Sequence, residues 1–172
     1  MNFILRLFLI FSSVSFFLIV YLVQNEVNPY EYVLGKYAWV TYAVYVIIPF
    51  LLTLISLGIC KLLAKSTINE VVSLETSNND FLANYLAFFF VALSVKGIIT
   101  FLVVFGMTTL FTFVSRVSYF NPIFLVFRYN FYYVHTGENV KVMLISRKKL
   151  KSPQTFESMT VRRINDYTFI EI

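Results

Sequence analysis

The residues of this chain that could do chemistry are few and scattered. His135 is its single histidine and Cys60 its single cysteine. Neither a Cys/His metal cluster nor an intramolecular disulfide can be assembled from one of each. No serine or cysteine stands in a pattern that pairs it with a general base. No phosphate-cradling glycine loop occurs; Gly137 reads as a turn residue and the other glycines stand alone. The expectation is therefore a protein without catalytic residues, cofactor or metal. His135 ends a strand-like run and reads as a surface histidine. Cys60 lies inside an apolar block and reads as a buried, inert thiol.

Charge offers a second kind of chemistry. Arg147-Lys148-Lys149-Leu150-Lys151 is the densest charged run, and Arg162-Arg163 is second. Residues 1–120 hold six Lys/Arg against five Asp/Glu, whereas residues 121–172 hold eight against four. Three readings compete for the basic run: retention on the inner side of a membrane with lipid contact, docking of an acidic protein, and nucleic-acid contact. The run holds no aromatic residue on which a base could stack, which weakens the third. Arg147, Lys148, Lys149, Lys151, Arg162 and Arg163 are thus the candidate partner-binding residues, and no direct binding of nucleic acid is expected. Lys96 is the one basic residue deep in an apolar region. It reads as an anchor at an external turn; in a pore it would line water instead, together with Thr100.

The elements that must position these residues are dominated by apolar blocks. Phe8–Val23, Val40–Ile59 and Ile98–Val114 contain no charge, in a 172-residue chain that is 59% hydrophobic and only 13% charged. An average soluble domain is about 25% charged, and a spanning helix needs about 20 apolar residues. The first helix is read over Phe3–Val23. Its end, Tyr21-Leu22-Val23-Gln24-Asn25, lacks the small residues of a cleavage site, so an uncleaved helix is expected. A polar loop, Gln24–Lys36, ends beside Tyr30, Tyr32, Tyr37 and Trp39, which suit a membrane–water boundary. The second helix is read over Tyr37–Leu63 with a kink at Pro49. Ser66–Asp80 is polar, and Asn78, Asn79 or Asp80 could cap a helix starting near Phe81.

Phe81–Phe120 is long enough for two short spans broken at Lys96-Gly97, or for one long helix. Basic residues at Arg6, at Lys61 and Lys65, and at Arg116, Arg128 and the tail all suit the inner side of a membrane. An even number of crossings then favours four spans, with both termini inside. After Asn121-Pro122 the pattern changes. Arg128–His135 and Val140–Ser146 flank the turn signal Thr136-Gly137-Glu138-Asn139 and read as a hairpin. Met159–Ile164 and Tyr167–Ile172 read as further strands. The expected architecture is an α-helical membrane protein with a transmembrane four-helix domain, 1–120, and a small C-terminal cytoplasmic antiparallel β domain, 121–172, forming a sheet or a partly closed barrel.

The order of these parts resembles one family. Asn78-Asn79-Asp80-Phe81-Leu82, the Phe120-Asn121-Pro122 exit, Tyr129-Asn130-Phe131-Tyr132 and Leu144-Ile145-Ser146-Arg147-Lys148-Lys149 look like the membrane subunit of the Kiwa bacterial anti-phage system. That resemblance implies a four-helix subunit of the bacterial inner membrane that forms a homo-oligomer, binds a cytoplasmic DNA-binding partner and responds to phage at the envelope. The reading carried forward is a non-catalytic scaffold or sensor, with lipid bilayer and a cytoplasmic protein as partners. The alternative is a small membrane channel or transporter, which requires polar residues aligned on one face of two or more spans. A membrane enzyme acting on lipid ranks last.

Overall fold

The computed structural model describes residues 3–27, 37–68, 71–114, 121, 123–138, 140–153 and 159–172. Tyr30, Tyr32, Lys36, Arg116, Phe120, Pro122 and Asn139, all used in the sequence reading, lie outside them.

Two long helices form the frame: α1, Phe3–Gln24, and α2, Ala38–Cys60. With 22 and 23 residues, each reaches roughly 33–35 Å at the α-helical rise, enough to cover a hydrocarbon layer. α2 runs on through Pro49. α3, Asn78–Ser94, and α4, Ile98–Val114, have 17 residues each. Their apolar stretches are Tyr85–Ser94 and Ile98–Val114. Among the described residues, two helices have membrane-crossing length and composition, not the four expected from sequence. The physical reason is length: at 17 residues α3 and α4 each reach about 26 Å, short of a hydrocarbon layer of about 30 Å, and α3 opens on the polar Asn78, Asn79 and Asp80. The break at Lys96-Gly97 is present, and Gly97 O accepts the first bond of α4 from Phe101 N at 2.8 Å.

α1 is the central helix and packs on α2, α3 and α4. Leu9, Ile10, Val14, Phe17 and Tyr21 form its buried stripe, spaced at three and four residues as a helix face requires. Aromatic rings fill the α1–α4 contact: Tyr21 stacks on Phe101 at 3.9 Å and Phe17 on Phe101 at 5.6 Å. At the far end Gln24 Nε2 donates to Leu93 O at 2.8 Å, tying α1 to the end of α3.

The short helix α5, Ile123–Val126, leads into the sheet. Its strands are β1 (Lys65–Ile68), β2 (Val71–Thr76), β3 (Asn130–Thr136), β4 (Lys141–Ser146), β5 (Met159–Asn165) and β6 (Thr168–Ile170), in the order β1-β5-β6-β4-β3-β2. The expected hairpin is there, with Asn130 opposite Ser146 and His135 opposite Lys141. The sheet departs from expectation in two ways. It is open and mixed, because β6 runs parallel to β4 while every other pairing is antiparallel. The connection after β4 is long enough to carry β5 one strand further out, and β6 folds back into the gap. It also takes both its edge strands, β1 and β2, from the polar segment between α2 and α3, so it is not confined to 121–172.

Both faces of the sheet are buried. Phe131, Met143, Ile145, Ile164 and Ile170 pack on the helices with Leu57, Cys60 and Phe124. Tyr132, Val134, Val142, Leu144 and Val161 form a second cluster on the other face, with Ile68, Met159 and Leu150. The helices and one face of the sheet therefore share a core, and the other face carries a second cluster of its own. α3 is pinned to it at its start: Asn78 Oδ1 accepts Phe131 N at 2.8 Å, and Ser77 N donates to Phe131 O at 2.9 Å. The helix begins three residues before the expected Phe81, Ser77 holds the N-cap position without a side-chain cap bond, and Asn78 serves the sheet rather than the cap.

Candidate functional site

The end of α2 meets the sheet where the basic run leaves β4. Here Leu54, Leu57, Gly58 and Lys61 from α2 and its exit face Tyr129, Arg147, Lys148, Glu171 and Ile172 across a cleft of about 380 Å³. Its floor is apolar and its rim carries three cations against one side-chain carboxylate. Pairing of β6 with β4 creates the juxtaposition, since Glu171 N donates to Ile145 O at 2.8 Å and so lies beside Ser146.

Glu171 is already engaged. Its carboxylate accepts from Ser146 Oγ and pairs with Lys148 Nζ at 2.5 Å, with only 15% of its side chain exposed. Ser146 Oγ also accepts Lys148 N at 3.0 Å. Arg147 stacks its guanidinium over the Tyr129 ring at 4.6 Å. Burial pushes the Tyr129 phenol above its usual value, and the neighbouring Arg147 charge opposes that shift. Lys61 and Arg147 pair with no acid among the described residues.

The remaining basic run is held in shape from the opposite face of the sheet. The Tyr132 hydroxyl donates to Lys148 O at 3.1 Å and accepts Leu150 N at 3.2 Å. Leu150 tucks into the second core cluster. That leaves Lys149 and Lys151 exposed on either side of a buried leucine.

The six candidate residues thus have three different environments. Arg147 and Lys148 line the cleft, and Lys149 and Lys151 project from the loop. Arg163 is exposed and paired with Asp166 at 2.5 Å. Arg162 is half-buried and donates from Nη1 to Leu63 O at 2.7 Å, closing the turn that follows α2. It answers a carbonyl left unpaired near a helix end. Sequence reasoning treated Lys61 as a helix end and a marker of the inner membrane side, placed Tyr129 and Glu171 only within strand-like runs, and gave none of the three a site role. No local pattern marks the three as neighbours, because sheet order brings Glu171 beside β4 and the packing of α2 on the sheet brings Lys61.

His135 is half-buried on β3, opposite Lys141. Cys60 is fully buried. Among the described residues no group of three His, Cys, Asp or Glu could hold a metal ion. The bundle's hydroxyls bond to one another and to helix carbonyls. Ser13 Oγ lies 2.9 Å from Tyr85 Oη, Ser15 Oγ donates to Ser12 O, Thr53 Oγ1 to Pro49 O and Ser56 Oγ to Leu52 O. Lys96 is exposed, in the link between α3 and α4. With three cations against one side-chain carboxylate, the cleft is attractive to an anion.

A bundle with two membrane-length apolar helices, joined through one core to a basic-rimmed sheet, defines the class: an α-helical protein with a mixed sheet and an anion-attracting edge. The chain belongs to the anti-phage protein KwaA family, whose sequence model matches residues 5–170. It is therefore an antiviral defence protein. No curated protein and no solved structure matches it.

Proposed function

We propose that the chain is a non-catalytic, membrane-embedded scaffold or sensor of the defence response, which recruits a soluble partner through Lys149 and Lys151. The observation that carries the reading is the anchored loop. Tyr132 fixes its backbone and Leu150 roots it in the core, while the two lysines stand exposed and pair with no acid among the described residues. A preformed basic loop loses little entropy on docking and steers an acidic surface toward it.

Embedding in lipid is supported by the outer surface of the helices. Val46, Ile47, Leu51, Leu54 and Ile55 on α2 and Ile99, Leu102, Val103, Leu110 and Phe111 on α4 are all exposed. Monomeric soluble proteins rarely present apolar surface so continuously. α1 and α2 are the proposed spans, with α3 and α4 adding apolar surface beside them. The positive-inside tendency then sets the sheet and both termini on the cytoplasmic side of a bacterial inner membrane. Self-association and a cytoplasmic DNA-binding partner, both implied by the family resemblance, belong to the same proposal.

The channel alternative is less well supported. It needs polar groups directed at water, whereas Ser13, Ser15, Thr53, Ser56 and Thr109 bond within the bundle, and Lys96 stands outside it in the link between α3 and α4.

The test is phage plating on host cells that carry the chain with its neighbouring genes, alongside affinity purification of the tagged chain. Lys149→Glu with Lys151→Glu is expected to abolish protection and release the soluble partner while the chain stays in the membrane fraction. Full protection and unchanged partner recovery overturn the proposal.

A further inference from the structure

We propose that the cleft between α2 and β4 is a binding site for the phosphate group of an anionic membrane lipid. The inference rests on the membrane reading above and deepens it by assigning a ligand to a site separate from Lys149 and Lys151.

The chemistry is read from the two halves of the cleft. Lys61 and Arg147 both line it and pair with no acid among the described residues. Lys148 and Glu171 already satisfy each other at 2.5 Å, so the surplus positive charge rests on Lys61 and Arg147. A phosphate monoester or diester oxygen matches a guanidinium and an ammonium together, and charge-assisted bonds of this kind are the stronger class. Tyr129, under Arg147, keeps the guanidinium from wandering.

The other half points to a lipid rather than a free ion. Leu54, Leu57 and Gly58 form the floor, in the last two turns of α2. Leu54 is exposed and continues into the outward apolar row of Leu51 and Ile55. A phosphate seated at the rim therefore has an acyl path leading directly away from it, along the helix and toward the bilayer. Lys61 lies one residue beyond the apolar helix, where a lipid phosphate sits relative to a spanning segment. Gly58 keeps the floor open: a Cβ built there meets nothing within 4 Å. A side chain at 58 therefore starts into open space beside the cleft, and a bulky one such as leucine competes with a ligand for it.

The experiment is native mass spectrometry of the full chain extracted in mild detergent, with dioleoyl phosphatidylglycerol, dioleoyl phosphatidylcholine or inorganic phosphate added. Alkaline carbonate extraction of the same membranes is run in parallel. Wild type is expected to retain phosphatidylglycerol in preference to phosphatidylcholine. Gly58→Leu, by occlusion, and Lys61→Gln with Arg147→Gln, by loss of both charge-assisted contacts, are each expected to cut that retention at least tenfold, since a single such contact is worth about that much. Lys149→Gln with Lys151→Gln, which lies outside the cleft, is expected to retain it. Equal retention of the two lipids, or retention unaffected by Gly58→Leu in a chain with wild-type circular dichroism, overturns the site. Saturable binding of inorganic phosphate without phosphatidylglycerol retention overturns the lipid source. Release of the chain by carbonate overturns the membrane reading and this site with it; carbonate resistance with no lipid preference overturns the site alone.

Discussion

Asn121 Nδ2 lies 2.6 Å from Thr53 Oγ1, and the same amide lies 2.6 Å from Ser12 Oγ. One buried side chain thus ties the segment after α4 to the middle of α1 and of α2. Its own Oδ1 accepts Ile123 N at 3.0 Å and so starts α5. Asn121→Ala removes all of these bonds and leaves a void. Thr53 can keep its bond to Pro49 O, which limits the loss. A destabilisation of about 2 kcal/mol is expected. Thr53→Val should cost less, about 1 kcal/mol, and the two should be non-additive because they share a bond. Cys60 is the only cysteine and is fully buried, so the temperature at which a thiol-reactive dye labels it reports unfolding in detergent. Equal melting of Asn121→Ala and wild type would refute the linchpin role.

Much of this architecture is legible in the sequence, and the gaps have physical causes. The β3–β4 hairpin shows because an aromatic, β-branched run and a second apolar run flank a glycine-containing turn signal. The break between α3 and α4 shows because a lysine and a glycine adjoin inside an apolar run. β1 and β2 do not show because they are edge strands. Lys65, Thr67, Val72, Glu75 and Thr76 stay exposed, so the apolar signal of a strand is diluted. The cleft was half legible. Its Arg147 and Lys148 belong to a visible charge run, but Glu171 joins them only through the parallel placement of β6 against β4, and Lys61 only through the packing of the end of α2 on the sheet. Charge density alone also could not separate Arg162, spent on a helix end, from Lys149 and Lys151.

Tyr132 should govern the shape of the basic loop. Its hydroxyl makes two bonds, one to each side of Lys149, while its ring stays in the second core cluster. Tyr132→Phe keeps the ring and deletes both bonds. The sheet should remain folded with a loss of about 1 kcal/mol. Trypsin cleavage after Lys148, Lys149 and Lys151 should accelerate severalfold, as expected where local opening becomes cheaper. Cleavage at the wild-type rate would show that Leu150 alone holds the loop.

β6 has only three residues but an internal position. It separates β4 from β5, and Ile170 is completely buried beneath the helices. Deleting residues 168–172 therefore strips pairing from two strands at once and removes Glu171 from Lys148. The expected result is loss of the whole sheet, seen as rapid proteolysis of the region 121–167 and loss of its β signal in circular dichroism. For the same reason, partner-binding tests need point substitutions in place of tail deletions. A truncated chain with an intact, protease-resistant sheet would contradict this placement of β6.

Arg162 and the Lys149–Lys151 pair should separate structural from recognition charge. Arg162 Nη1 donates to Leu63 O at 2.7 Å, and the adjacent Arg163 N donates to Ala64 O at 3.2 Å. These bonds fasten the exit of α2 to β5. Arg162→Met preserves the stem of the side chain and loses the bond, so stability should fall by about 1–2 kcal/mol. Partner capture, scored at a temperature where the variant is fully folded, should match wild type. Lys149→Gln with Lys151→Gln should do the reverse, with melting unchanged and capture lost, because exposed lysines without ion pairs contribute little to folding. Raising the salt concentration should weaken wild-type capture and leave the melting order of the variants intact, since screening acts on exposed charge far more than on a half-buried bond to a carbonyl. If Arg162→Met lost capture while still folded, Arg162 would move from the helix-end role to the docking surface.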